Sequence, residues 1–182
     1  MNLANRITLA RLLLIPVILV TILAYSPERE WLRYAAAGLY LVAALSDILD
    51  GYIARRYDQK TRLGAVIDPL ADKLLINLSL VLLAVNEYFA VLVPMWLPVL
   101  VLGRDAVITG GAYLLNRYYG PFRPRPRILG KLTAVSQSVA VIAVLLGVFF
   151  AYHVVMVMVA LCVVSLIDYF YKGMEKVTHE AT

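Results

Sequence analysis

The sequence predicts an all-α integral membrane protein of six transmembrane helices, folded as one domain over residues 1–182. Three observations predict it. Of the residues, 62% are hydrophobic and only 16% charged, and the mean hydropathy is +0.80, outside the range of soluble globular domains. The apolar residues fall into runs long enough to cross roughly 30 Å of hydrocarbon, which takes about 20 residues per helix. The basic residues gather in alternate connections, as they do on the cytoplasmic side of a membrane protein. Six crossings use most of the chain and leave only short loops.

The first element is the uncharged run from Leu12 to Pro27, entered through Arg11. A small-x-small cleavage site at Ala24 and Ser26 would make it a signal peptide; with further membrane segments behind it, it reads as a retained helix. The second run, about Trp31 to Ala54, is broken only near its end by Asp47 and Asp50. The third, about Gly64 to Val85, carries Asp68, Asp72 and Lys73 near its beginning, so both sets of acids lie toward one side. A fourth, about Val91 to Leu115, contains Arg104 and Asp105. The charge-free stretch from Leu132 to Ile167 would measure about 54 Å as one helix, too long for one crossing. It reads as two helices turning near Tyr152 and His153, with His153 an interfacial residue far from the acids.

Loop charge orients the spans. Arg55, Arg56, Lys60 and Arg62 lie between the second and third runs, and Arg117, Arg123, Arg125, Arg127 and Lys131 between the fourth and fifth; Arg6, Lys172 and Lys176 share their side. The opposite connections hold little beyond Arg29 and Arg33. Both termini, and all four aspartates, are therefore expected on the cytoplasmic side. The net charge of +5 comes without a basic, aromatic-interleaved polar surface, which argues against nucleic acid and for anionic lipid head groups or phosphorylated substrates. Cys162 has no second cysteine to pair with and reads as a packing residue. No internal repeat or low-complexity segment is visible.

On a helix, residues three and four apart share a face. Asp47 and Asp50 thus point the same way, Asp68 and Asp72 form a second pair, and Gly64 continues the face of that pair. Gly51 and Ala54 keep the first helix thin beside its carboxylates, leaving space for a ligand. Acids inside a membrane are rare and by default functional or paired, and four close carboxylates repel one another unless cations lie between them. Clustered oxygen ligands suit hard divalent ions such as Mg²⁺, which combine carboxylates with substrate phosphates. A two-metal site of this kind clamps both the attacking and the leaving oxygen of a phosphoryl transfer. The bland alternative pairs the acids with Arg55, Arg56, Arg62 and Lys73 in a charge network.

Asp47, Asp50, Gly51, Ala54, Arg55, Gly64, Asp68 and Asp72 match without a gap the signature DxxDGxxAR, eight residues, GxxxDxxxD, and on it the chain resembles the CDP-alcohol phosphotransferase family. The resemblance implies a six-helix membrane enzyme of about this size, usually homodimeric, with its active site open to the cytoplasm. It implies cleavage of a CDP-linked donor, usually CDP-diacylglycerol, and passage of the phosphatidyl group to an acceptor hydroxyl with release of CMP. Carried over by position, Asp47, Asp50, Asp68 and Asp72 hold two divalent ions, Mg²⁺ or Mn²⁺. Asp50, Gly51, Ala54, Arg55 and Gly64 surround the cytidine and diphosphate. Asp72 is the implied general base; because a carboxylate beside two divalent cations is a weak base, positioning of the hydroxyl is its alternative role.

For the acceptor, Gly130, Lys131, Leu132, Thr133 and Ala134 with Gln137, and Asn5, Thr8, Leu9 and Arg11 near the start, resemble the branch that makes phosphatidylglycerophosphate from glycerol 3-phosphate. Arg123, Arg125, Arg127 and Lys131 suit an anionic, glycerol-type acceptor, or else anchor a basic loop on lipid. Ala4, and Asp105 after Arg104, depart from that branch, and the Arg-Asp pair resembles the CMP-forming cardiolipin synthases, which use phosphatidylglycerol. Arg104, Asp105, Asp168 and Lys73 are as well explained by pairing among themselves. A cation transporter built on the aspartates would place them near the bilayer midplane and show a repeat relating two halves. The expected setting is a bacterial inner membrane.

Overall fold

A computed structural model describes residues 3–56, 64–89, 91–118 and 128–180, with side chains for 9–47, 70–89, 91–114, 117–118 and 128–171. Every regular element among them is helical: α1 (Leu3–Leu23), a short 3-10 turn (Pro27–Arg29), α2 (Glu30–Arg56), α3 (Gly64–Val85), α4 (Trp96–Tyr118), α5 (Ile128–Leu146) and α6 (Ala151–Glu180). In a medium that cannot hydrogen-bond, a helix is the one open-ended element that satisfies its own backbone. Short polar side chains on these helices follow the same rule: Thr21 donates to the Ile18 carbonyl at 2.7 Å and Ser46 to the Val42 carbonyl at 2.7 Å.

Among the described residues three helices, over Trp96–Leu114, Ile128–Leu146 and Ala151–Tyr171, are long and apolar enough to cross a membrane, and α1 contributes a shorter apolar stretch, Leu9–Leu23. Large apolar side chains face outward over much of the bundle, among them Leu13, Val20, Val99, Val157 and Ile167. Lipid, unlike water, leaves such a surface without a hydrophobic penalty. The packed interior gathers Ile18 and Ile22 of α1, Tyr40 of α2, Leu80 and Leu83 of α3, Leu97 and Val101 of α4, Val141 and Leu145 of α5, and Met158 of α6.

α1 packs against α2 and α3, α2 also against α5, α3 also against α4 and α5, and α6 against α4 and α5. Two polar latches tie one end of this bundle. Asn86, just past α3, donates from Nδ2 to the carbonyls of Ile22 at 3.0 Å and Tyr25 at 3.2 Å, and its Oδ1 accepts from the Tyr88 amide at 3.1 Å. Tyr25 stacks on Phe89 there, centroids 4.8 Å apart. Arg33, at the start of α2, donates to the last carbonyl of α5, Leu146, at 3.3 Å.

The structure moves two expected boundaries. The hairpin of the last two helices turns at residues 147–150 rather than near Tyr152 and His153, which lie in the first turn of α6. Gly147 sits in the left-handed region at φ +62°; its amide donates to the Val144 carbonyl, and the Val148 amide reaches back to Ala143. That pair of bonds is a glycine helix stop. A Cβ at Gly147 would also meet the Arg33 guanidinium at 2.8 Å. α4 begins at Trp96 rather than near Val91, because the segment before it is a turn containing Pro94, which has no amide to give a helix.

Candidate active site

At the end of the bundle away from the two latches, helices α1, α2 and α3 bring three charged side chains together. Arg11 occupies a core position on α1: with Ile15, Ile18 and Ile22 it forms one buried stripe at helical spacing, and it is only 1% exposed. Its Nη1 donates to Oδ1 of Asp47 on α2 at 2.6 Å and lies 3.9 Å from Oδ1 of Asp72 on α3. One guanidinium nitrogen therefore lies within ion-pair distance of carboxylates from two helices, and the two carboxylate oxygens are no farther apart than the sum of those distances. The carboxylates keep open surface, 32% of the Asp47 side chain and 44% of that of Asp72, whereas the Arg11 side chain has none. The cluster thus has a sealed cationic back and an accessible anionic front. It lies two turns or more inside the helix ends, roughly 12 to 14 Å along the axes.

The backbone places the remaining signature residues consistently with helical spacing. α2 continues through Arg56, so Asp50 follows Asp47 on one face and Gly51, Ala54 and Arg55 lie in its last turns. α3 starts at Gly64, and Gly64, Asp68 and Asp72 fall at successive intervals of four residues on one face. The side chains of Asp50, Ala54, Arg55 and Asp68 lie outside the described residues, as do Arg123, Arg125 and Arg127 entirely. Lys131 is exposed in the first turn of α5.

A second charged cluster joins α3, α4 and α6. Asp105 uses both oxygens, Oδ1 accepting from Arg104 Nη1 at 2.8 Å and Oδ2 lying 3.4 Å from Lys73 Nζ. Arg104 Nη2 donates to Ser165 Oγ at 2.7 Å. The Arg-Asp pair thus links α4 to α3 through Lys73 and to α6 through Ser165. Thr133 and Gln137 are buried as well: Thr133 lies within hydrogen-bonding distance of the Leu129 carbonyl at 2.8 Å and of the Leu161 carbonyl of α6 at 3.4 Å, and Gln137 Nε2 donates to Cys162 Sγ at 3.4 Å. These residues tie α5 to α6, and Cys162 is the buried packing residue its setting predicts.

Arg11 enters the sequence reading as part of the N-terminal motif with Asn5, Thr8 and Leu9 and as the last charge before the run that starts at Leu12, but neither signal foresees its place beside Asp47 and Asp72. A hydrophobic stripe completed by an arginine asks for a buried counter-charge, and Asp47 supplies it from 36 positions away.

Asp47 and Asp72 offer hard oxygen donors from α2 and α3, both beside Arg11 of α1 and both partly exposed. Such a donor set fits Mg²⁺ or Mn²⁺. Among the described residues no group of three or more His, Cys, Asp or Glu comes together; the side chains of Asp50 and Asp68 lie outside them.

Comparison with known proteins bears on the same residues. A relative from Aquifex aeolicus, named CDP-diacylglycerol--glycerol-3-phosphate 3-phosphatidyltransferase, is 35% identical over 99% of this chain and 100% of its own length. Relatives of the same name from Bacillus subtilis and Escherichia coli K12 are 34% identical over 80% of this chain and 77% of theirs, and 42% identical over 48% and 46%. The sequence model of the family described as CDP-alcohol phosphatidyltransferase matches residues 1–167, a range that takes in Arg11, both acid pairs and the Arg104–Asp105 cluster. With the paired-acid signature carried on two helices consecutive in the chain and the match running over nearly the whole chain, the protein belongs to the CDP-alcohol phosphatidyltransferase family.

Proposed function

We propose that this protein transfers a phosphatidyl group from CDP-diacylglycerol to the hydroxyl of glycerol 3-phosphate, releasing CMP, at the cytoplasmic side of a bacterial inner membrane. The observation that carries this reading is the Aquifex aeolicus relative, which aligns over 99% of this chain and the whole of its own length and bears that activity in its name. In the proposed topology all six helices span the bilayer, both termini are cytoplasmic, and the protein is a homodimer; the alternation of basic connections supports the orientation.

The division of labour follows from placement. Asp47, Asp50, Asp68 and Asp72 would hold one or two divalent cations, Mg²⁺ in the first instance. Cations bound there neutralise the diphosphate and the departing CMP. Asp50, Gly51, Ala54, Arg55 and Gly64, near the ends of α2 and α3, line the place for the cytidine and diphosphate, where a glycine lets a ligand approach the backbone and Arg55 adds a charge-assisted contact. Asp72, with an open carboxylate, accepts a hydrogen bond from the acceptor hydroxyl and aims its oxygen at the phosphorus of the phosphatidyl group. The new P–O bond forms as the P–O bond to CMP breaks, and the hydroxyl proton passes to the Asp72 carboxylate and from there to solvent water. Arg123, Arg125, Arg127 and Lys131 receive the phosphate of the acceptor.

Purified protein supplied with CDP-diacylglycerol and glycerol 3-phosphate should release CMP in Mg²⁺, lose that activity in EDTA, and regain it when Mg²⁺ is restored. No CMP release with any acceptor in either Mg²⁺ or Mn²⁺ would refute the reading.

A further inference from the structure

Arg11 does not touch substrate in the proposed reaction, because its side chain is fully buried behind the carboxylates. We infer that Arg11 is a positioning residue of the cation site: from the sealed side it orients the carboxylates of Asp47 and Asp72, so that they present oxygens to a divalent cation arriving from the open side. This role rests on the metal site proposed above.

Three observations lead to it. Arg11 stands in a core stripe where Ile15, Ile18 and Ile22 are its neighbours at helical spacing, so a charge there is kept against the local preference for an apolar residue. It engages Oδ1 of Asp47 at 2.6 Å, and the Oδ2 of Asp47 has no partner among the described residues, leaving that oxygen for a cation. The same Nη1 lies 3.9 Å from Asp72, so one rigid group takes its bearings from both helices that carry ligands. A guanidinium is planar and always charged, and holds a carboxylate in orientation as well as in place. Groups that orient metal ligands from behind commonly set affinity by 10- to 100-fold.

Electrostatics alone predicts the opposite sign. A fixed cation near the metal repels it, so a residue acting only as a competitor would, when removed, leave tighter metal binding. The two roles are therefore separable by one titration.

The test is Mn²⁺ binding to the purified full-length protein in detergent, followed by electron paramagnetic resonance of free Mn²⁺, for wild type, Arg11→Met and Arg11→Lys, with thermal unfolding as the check that each is folded. The Met variant should bind Mn²⁺ about 10- to 100-fold more weakly than wild type. The Lys variant, which keeps the charge and loses the planar fork, should fall in between. Unchanged or tighter binding in a folded Met variant overturns the inference, and if that variant does not fold, wild-type affinity in the Lys variant overturns it. A wild-type protein that binds no Mn²⁺ removes the metal site itself and this role with it, a result distinct from one in which wild type and Met variant bind alike.

Discussion

Replacing Asp47 with Asn keeps the shape of the side chain and removes its charge, so it tests packing and chemistry in one substitution. In the native protein the Arg11 guanidinium is sealed from solvent and held at 2.6 Å by Asp47, with Asp72 farther away at 3.9 Å. Stripping the partner from a buried charge usually costs about 3 to 5 kcal/mol. Here the loss should be smaller, because Asp72 remains, Asn still accepts a hydrogen bond, and Asp47 is 32% exposed. A destabilisation of about 2 to 3 kcal/mol follows, which for a chain of this size lowers the melting temperature by roughly 4 to 12 °C. Turnover should fall much further, by about a thousandfold or more, because the proposed cation site loses a charged ligand. Thermal unfolding in detergent and CMP release from CDP-diacylglycerol read the two effects separately. Wild-type turnover in the folded variant would refute the assignment of Asp47 to the reacting centre, and an unchanged melting temperature would refute the reading of Arg11 as a charge that depends on it.

Three further substitutions probe the frame that holds the site. Asn86→Ala removes the donor shared by the Ile22 and Tyr25 carbonyls and should destabilise by about 2 to 4 kcal/mol, read as a drop in melting temperature, while the KM for either substrate stays unchanged. Gly147→Ala places a β-carbon at φ +62° and against Arg33, and should lose about 1 to 2 kcal/mol in thermal unfolding. Asp105→Asn leaves Arg104 and Lys73 facing a neutral amide; with Lys73 half exposed, the expected loss is about 1 to 3 kcal/mol, accompanied by greater protease sensitivity in α4.

The parts of this fold that depend on local pattern are legible in the chain. α3 runs over Gly64–Val85, the bounds its hydropathy and acid placement predict, and the helical intervals that put Gly64, Asp68 and Asp72 on one face follow from the same few residues. What escapes is set by contacts distant in sequence or by backbone geometry. Arg11 acquires its meaning only when Asp47 and Asp72 arrive from other helices. The hairpin turn is placed by the left-handed conformation of Gly147 and the reach of Arg33 to Leu146, neither of which changes the hydropathy of an apolar run. Thr133 and Gln137 resemble an acceptor motif in sequence, and what that reading does not show is that they also tie α5 to α6, Thr133 through the Leu161 carbonyl at 3.4 Å and Gln137 through Cys162, because a short polar group inside a bundle is satisfied by the nearest carbonyl or thiol. Arg104 and Asp105 show the reverse: their pairing with Lys73 is foreseeable, since a charge within an apolar span needs a partner.

The central claim, a phosphatidyl transfer to glycerol 3-phosphate, is tested most directly by a product assay on purified protein with CDP-diacylglycerol, Mg²⁺ and three acceptors side by side: glycerol 3-phosphate, phosphatidylglycerol and inositol phosphate. Phosphatidylglycerophosphate should form from the first, with one CMP released per product. Product from phosphatidylglycerol alone, or from inositol phosphate alone, would contradict it.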